Sequence, residues 1–289
     1  MSLLYAMLLG VIQGLTEFLP ISSSGHLAIF QTIFHMKDVG ISFDVFLHLG
    51  TLVAVFVVYW KDILRLIVEF FGIVVDVCKN IGIFFSRKNR DKAEYHRIIT
   101  TAYRKFTLLI IVASIPTAIL GVLGKKIVEE AGNHLWIVGI CLIVTAVLLI
   151  VSDNLPDGRK TPKGTKWKDA VIIGIAQGIA TLPGISRSGA TICTGIFRGL
   201  RRDFVVKFSF IMSIPAILGA TVFEIPDMAD DFAGGNISEY LAGAMMAAIV
   251  GYFCIRLMLV VVKNKKFKYF AYYCTLAGVV AIVGSLIAR

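Results

Sequence analysis

Two stretches of this chain place carboxylate, imidazole, hydroxyl and guanidinium groups inside runs that are otherwise apolar. The first is Gln13-Gly-Leu-Thr-Glu17-Phe-Leu-Pro20-Ile-Ser22-Ser23-Ser24-Gly25-His26. The second begins at Gly174 and reads Gln177-Gly178-Ile-Ala-Thr-Leu-Pro183-Gly184-Ile-Ser186-Arg187-Ser188-Gly189-Ala-Thr191. At an offset of 164 positions and without a gap, Gly10, Gln13, Gly14, Ile21, Ser22, Ser24 and Gly25 fall on Gly174, Gln177, Gly178, Ile185, Ser186, Ser188 and Gly189. Gln13 and Glu17 are four apart and share a helix face. Ser22–Gly25 and Ser186–Gly189 each stand where a short helix should begin, and free N–H groups there attract anions. The planar fork of Arg187 matches phosphate or carboxylate. His26 is a candidate acid, base or nucleophile. Together these groups suit an anion-handling site to which each stretch contributes half.

Each group also has a plainer reading. Glu17 could make a packing hydrogen bond, the serines could be ordinary caps, and Arg187 could pair internally with Glu17. Burying an ionisable group at membrane depth costs roughly 3 kcal/mol or more, which favours function for Glu17 and Arg187. His48 has no comparable polar setting and reads as buried or interfacial, while His35, His96 and His134 fall in or beside loops.

The elements that must position these groups are helices in a membrane. The chain has 289 residues, 57% hydrophobic and 17% charged, against about 45–50% and 25% in soluble domains. Leu135–Val151 and Leu241–Val262 approach or reach the roughly 20 apolar residues that a spanning helix requires. The fold class is therefore an all-α integral membrane protein, a polytopic bundle forming a single domain over residues 1–289. The start, Met1-Ser-Leu-Leu-Tyr5, lacks a basic leader and cleavage site and is expected to stay in the mature chain. The cysteines Cys78, Cys141, Cys193, Cys254 and Cys274 show no metal or redox spacing and read as inert thiols.

Pro20 and Pro183 break two helix pairs too short to span, at 3–36 and 170–197. Both are expected to be re-entrant hairpins. Six full spans are expected at Phe43–Trp60, Phe106–Gly124, Leu135–Val151, Phe208–Ile225, Tyr240–Val262 and Tyr269–Ala288, with an interfacial helix over 63–85. The first repeat, 1–152, and the second, 169–289, each contain a hairpin and three spans. An odd number of spans inverts the second copy. Of the 29 Lys and Arg, 24 fall on one side in this topology, which marks it as cytoplasmic. The net charge of +10 is explained by these loops, and no nucleic-acid partner is expected. Membrane lipids are the expected surroundings.

The motifs resemble those of the undecaprenyl-pyrophosphate phosphatase family, the BacA-type bacitracin-resistance proteins. Gln13 to Glu17 matches its (Glu/Gln)-x-x-x-Glu motif, Pro20 to His26 its Pro-x-Ser-Ser-x-Gly-His, and Pro183 to Thr191 its Pro-Gly-x-Ser-Arg-Ser-x-x-Thr. The resemblance implies hydrolysis of undecaprenyl diphosphate to undecaprenyl phosphate in the bacterial inner membrane. It further implies recycling of the carrier for cell-wall synthesis, bacitracin resistance, and dependence on a divalent cation, Mg²⁺ or Ca²⁺. On that basis Glu17 would hold metal or move a proton and Arg187 would bind the diphosphate. Ser23 would attack with His26 as acid–base partner, or the two would exchange roles. Gln13, Ser22, Ser24, Ser186, Ser188 and Thr191 would hydrogen-bond phosphate. Gln13 adds no charge, so a two-carboxylate metal site is not expected. A polyprenyl-phosphate flippase with inverted repeats is the alternative reading, and homodimer formation stays open.

Overall fold

The computed structural model describes residues 2–33, 41–85, 95–233 and 237–287. His35, Lys37, Arg87, part of the acidic stretch after Glu224, and the last two residues, Ala288 and Arg289, lie outside them. Ten α-helices follow in order: α1 Leu3–Phe18, α2 Ser23–Ile33, α3 Ile41–Phe85, α4 Ala102–Gly132, α5 Leu135–Asp153, α6 Trp167–Ile179, α7 Arg187–Phe197, α8 Arg202–Ala233, α9 Ile237–Lys263 and α10 Phe267–Ile287. The described residues contain no β-strand, only an isolated bridge between Lys160 and Leu200. Among the described residues six helices, α3, α4, α5, α8, α9 and α10, are long and apolar enough to cross a membrane. The protein is an all-α polytopic membrane protein, and each half runs as a short helix pair followed by three long helices.

Local chemistry explains the ends of the short helices. Ser2 Oγ caps α1 by accepting from Tyr5 N, and α1 stops at Leu19, whose extended backbone is what a following proline demands. Asp169 starts α6, accepting from the backbone N–H of Lys166 at 3.0 Å and from Lys160 Nζ at 2.9 Å. Its other oxygen accepts from Arg198 Nε, just past the end of α7, at 2.9 Å, so one buried carboxylate ties the two open ends of the second pair together. Outside the spans, Arg202 and then Lys265 donate to Asp157 and hold its carboxyl below the usual carboxylate range.

Helices α4 and α8 run past their expected ends at Gly124 and Ile225, and the largest difference from the sequence expectation is in α3. Residues 43–60 and 63–85 are not separate elements but parts of the 45-residue α3, bent where Tyr59 leaves helical geometry (φ −109°, ψ 21°). No glycine or proline interrupts Lys61–Ile67, and Asp62 is satisfied by Tyr103 Oη at 2.7 Å and Lys207 Nζ at 2.9 Å, so the helix continues. Further along, Glu69 and Asp76 both accept from Arg104, at 3.0 and 2.5 Å, which fastens the polar stripe of α3 to the start of α4. The opposite face, including Val68, Phe71 and Val75, is exposed.

Small residues set how the short helices sit among the long ones. A Cβ on Gly10 would lie 2.2 Å from Gly243 O, and one on Gly14 would lie 2.8 Å from Ala247 O. Phe18, at the end of α1, packs on Gly251. Thus α1 runs parallel to α9 and ends about halfway along it. The second pair does the same against α4: Lys105 stands over the Trp167 ring, Gly174 abuts Ala113, and Thr117 Oγ1 donates to Gly174 O at 2.9 Å. The starts of α4 and α8 lie together through Phe106, Phe204 and Phe208. Since α9 follows α8 and runs back, α1 begins at the end of the bundle opposite to α6. Close approach through glycine is how helices associate where lipid removes the hydrophobic drive.

Replacing Gly10 by Val should therefore push α1 off α9. Overpacking of this kind costs about 1–3 kcal/mol, so thermal unfolding of the detergent-solubilised protein should fall by several degrees. Gly284→Ala, where an added Cβ meets nothing within 4 Å, should leave the midpoint unchanged. Equal midpoints for Gly10→Val and the natural protein would contradict this packing.

Candidate active site

The two short pairs meet tip to tip near the middle of the bundle. Gly184 N donates to Ser22 Oγ at 3.1 Å across the two halves. Each tip contains one residue with left-handed backbone, Ser22 (φ 71°) and Gly184 (φ 95°). Only glycine suits the second: a Cβ there would lie 2.3 Å from Val138 O. Ser22 carries a real strain for a non-glycine residue, of order 1–3 kcal/mol. Four interactions offset it. Ser22 Oγ accepts from Gly184 N and Gly25 N, and its carbonyl accepts from His26 N at 3.2 Å and His26 Nδ1 at 2.8 Å. The second tip is set by Thr145, which lies mid-way along α5. Its hydroxyl donates to Gly184 O at 3.1 Å and accepts from Ser186 N at 3.0 Å.

This geometry brings Gln13, Glu17, Ser23 and Arg187 together. The Arg187 guanidinium donates to Glu17 Oε1, an ion pair joining the two halves. The other carboxylate oxygen, Oε2, accepts from Ser23 Oγ at 2.6 Å and from Gln13 Nε2 at 3.1 Å. The Glu17 side chain is only 3% exposed, against 23% for Arg187, so the guanidinium forms the more open side of the pair. Gln13 is fully buried, and its Oε1 has no hydrogen-bond partner.

The other predicted residues are placed differently. His26 makes its ring hydrogen bonds to Ser22 O and, from Nε2, to Tyr273 Oη at 2.7 Å. A carbonyl can only accept, so Nδ1 carries the proton and Nε2 accepts from the tyrosine. Ser22 and Ser24 hydroxyls lie 3.4 Å apart, and Ser186 and Ser188 hydroxyls 3.3 Å. Ser186 Oγ caps α7 by accepting from Gly189 N, and Ser188 Oγ donates to Leu19 O. Thr191 is turned to Ser209 on α8, with their hydroxyls 2.6 Å apart. Of the hydroxyls in the motifs, Ser23 is the one that meets the carboxylate.

Sequence reasoning missed His48. Its Nε2 lies 3.6 Å from Glu17 Oε2, and its Nδ1 donates to Asp44 O at 2.7 Å. Nothing in Phe46-Leu-His-Leu-Gly50 signals this, because the carboxylate it meets is 31 positions away on another helix. Tyr273 and Thr145 were equally silent, being isolated polar residues in apolar helices.

Comparison with known proteins decides the family. The model described as "Bacitracin resistance protein BacA" matches residues 6–280. The chain belongs to the BacA family. Curated relatives cover it almost end to end. A protein of Methanosphaera stadtmanae named undecaprenyl-diphosphatase is 41% identical over 287 residues, 99% of each chain. One of Alkaliphilus metalliredigens with the same name is 42% identical over 284 residues, 98% of each chain. One of Corynebacterium glutamicum, also so named, is 38% identical over 277 residues, covering 95% of this chain and 88% of its own. The BacA-family motifs are the segments that the fold gathers around Glu17.

If Ser23 is the group that Glu17 activates, Ser23→Ala should lower phosphate release by roughly 100-fold or more. Ser24→Ala should lower it by less than about tenfold. Equal losses would mean that the serines act through the shape of the loop alone. Arg187→Lys should recover little of the activity lost in Arg187→Ala, because a point charge does not replace the fork.

Proposed function

We propose that this protein hydrolyses undecaprenyl diphosphate to undecaprenyl phosphate and inorganic phosphate, with the chemistry at the meeting point of the two tips. The observation that carries the site assignment is the short hydrogen bond from Ser23 to a buried carboxylate that also pairs with Arg187. Family membership and the names of the relatives support the substrate. A flippase needs the guanidinium but has no use for a hydroxyl poised on a carboxylate.

The residues divide the work as follows. The terminal phosphate takes the Arg187 guanidinium from Glu17, which leaves the carboxylate free to act as base. Ser23 Oγ gives its proton to Glu17 Oε2 and attacks the terminal phosphorus. The bond from that phosphorus to the bridging oxygen breaks, and the lipid phosphate leaves with the electron pair. Glu17 passes the serine proton to the departing lipid phosphate. Water then attacks the phosphoserine phosphorus and gives a proton to the freed carboxylate. The bond from phosphorus to Ser23 Oγ breaks, and Oγ takes the proton back as inorganic phosphate is released. Arg187 holds the equatorial charge in both steps, which is the dominant requirement in phosphoryl transfer. His26, held between Ser22 and Tyr273, fixes the loop that presents Ser23. In the reverse assignment, with His26 attacking, Nε2 would have to leave Tyr273 first.

A divalent cation, Mg²⁺ or Ca²⁺, is part of the proposal. The fit rests on Gln13: a fully buried amide oxygen without a donor stands beside the Glu17 carboxylate, and two oxygen donors plus substrate phosphates are a common way to hold Mg²⁺. Bound there, the cation would neutralise phosphate charge.

The surroundings follow from the fold. Both short pairs end at mid-bundle, begin at opposite ends and are too short to span, which supports two re-entrant hairpins in inverted repeats. The end formed by 61–65, 153–168, 198–207 and 263–268 is rich in Lys and Arg, which supports a cytoplasmic face there in a bacterial-type inner membrane. Returning the carrier lipid to cell-wall synthesis, and bacitracin resistance through turnover of the lipid diphosphate, follow from the reaction.

Purified protein in detergent should release inorganic phosphate from undecaprenyl diphosphate, stop on addition of EDTA, and resume with excess Mg²⁺. Glu17→Gln should reduce release by roughly 1,000-fold, the scale of a lost general base plus a lost charge. Release that EDTA and Glu17→Gln both leave intact would sink the proposed mechanism.

A further inference from the structure

His48 has no role in the steps above, yet it faces the central carboxylate. The Asp44 carbonyl can only accept a hydrogen bond, so it places the ring proton on Nδ1. In its neutral state the ring therefore directs the Nε2 lone pair at Glu17 Oε2, 3.6 Å away. Two acceptors facing each other are unfavourable unless something positive lies between them. Two ligands about 2.1 Å from one metal ion stand roughly 3–3.6 Å apart, so the gap has the span of a shared cation. A metal-binding histidine typically donates its second N–H to a carboxylate or backbone carbonyl, which fixes the ring and its basicity. His48 has this arrangement with Asp44 O.

The fold holds the pair rigidly. Gly50 on α3 abuts Ala244 on α9, and Gly14 on α1 abuts Ala247 and Gly251 on the same helix. Glu17 and His48 are thus mounted on two helices seated on one support. Thr51 Oγ1 donates to the His48 carbonyl at 2.8 Å, and Gln31 Nε2 donates to Asp44 Oδ1 at 3.0 Å. The amide of Gln13, whose Nε2 donates to Glu17 Oε2, carries a buried and unpartnered Oε1, an independent sign of a missing positive group beside this carboxylate. Among the described residues no three His, Cys, Asp or Glu cluster for a metal, so the amide is the third protein donor and phosphate oxygens supply the rest.

We propose that His48 Nε2 is a ligand of the divalent cation, together with the Glu17 carboxylate and Gln13 Oε1. The inference rests on Glu17 being the metal-binding carboxylate of the active site.

The test uses the full-length protein in detergent without substrate, with Mn²⁺ alone as the probe. Pulsed EPR of bound Mn²⁺ should show coupling to an imidazole ¹⁴N. The coupling should vanish in His48→Gln and persist in His134→Gln, and Mn²⁺ affinity in His48→Gln should fall by roughly 10- to 100-fold or more. Measured in the natural protein, the nitrogen signal does not depend on how the variants fold. Bound Mn²⁺ without nitrogen coupling, or an affinity unchanged in folded His48→Gln, would overturn the proposal and leave a shared proton as the occupant of the gap. Nitrogen-coupled Mn²⁺ in a protein whose phosphate release ignores EDTA would uphold the ligand set and contradict only the catalytic use of the metal.

Discussion

The structure depends on one ion pair formed where no ion pair is cheap. Glu17 and Arg187 come from opposite halves of the chain and meet at mid-bundle, among helices whose outer faces are apolar. Removing one partner of a buried pair leaves an uncompensated charge and typically costs 3–5 kcal/mol. The resting pair therefore holds both hairpin tips in register. It also defines what can replace it: only a ligand with negative charge of its own can separate the guanidinium from the carboxylate without that penalty. A diphosphate headgroup meets the condition, and in the proposed mechanism its arrival frees Glu17 to act as base. In that mechanism, holding the resting site together and selecting the substrate are one electrostatic constraint.

The tips can meet because glycine removes bulk where backbones cross and because strain is accepted at two residues. Gly10 and Gly14 seat α1 on α9 as Gly174 and Gly178 seat α6 on α4, so each half rests its hairpin on a long helix from the other. This crosswise arrangement couples the halves more tightly than packing of either repeat on itself. Left-handed Ser22 and Gly184 turn the chain sharply enough for α2 and α7 to start beside the carboxylate. Irregular backbone at this depth keeps its polar groups satisfied through Ser22, Thr145 and His26.

Much of this was legible in the sequence because it is written in local patterns. The apolar runs, the prolines at 20 and 183, and the 164-residue repeat announce six long helices and two short pairs. The motifs name Glu17, Ser23 and Arg187. What was not legible depends on contacts between distant helices. The pairing of Ser23 with Glu17 rather than with His26 follows from the turn at Ser22, whose left-handed backbone carries no sequence signal. His48 is one imidazole in an apolar helix, and only the shared seat on α9 brings it to Glu17. The break expected after Trp60 failed for a related reason: Lys61 and Arg65 read alone as the end of a span, but Tyr103 and Lys207 satisfy Asp62 and let α3 run on.

The most direct measurement is a structure of the protein with a non-hydrolysable methylene-bisphosphonate analogue of undecaprenyl diphosphate. The present account predicts the terminal phosphonate between Ser23 Oγ and the Arg187 guanidinium, with the Glu17–Arg187 pair opened and the prenyl chain leaving toward lipid. An analogue bound elsewhere, or bound with that pair still closed, would contradict it.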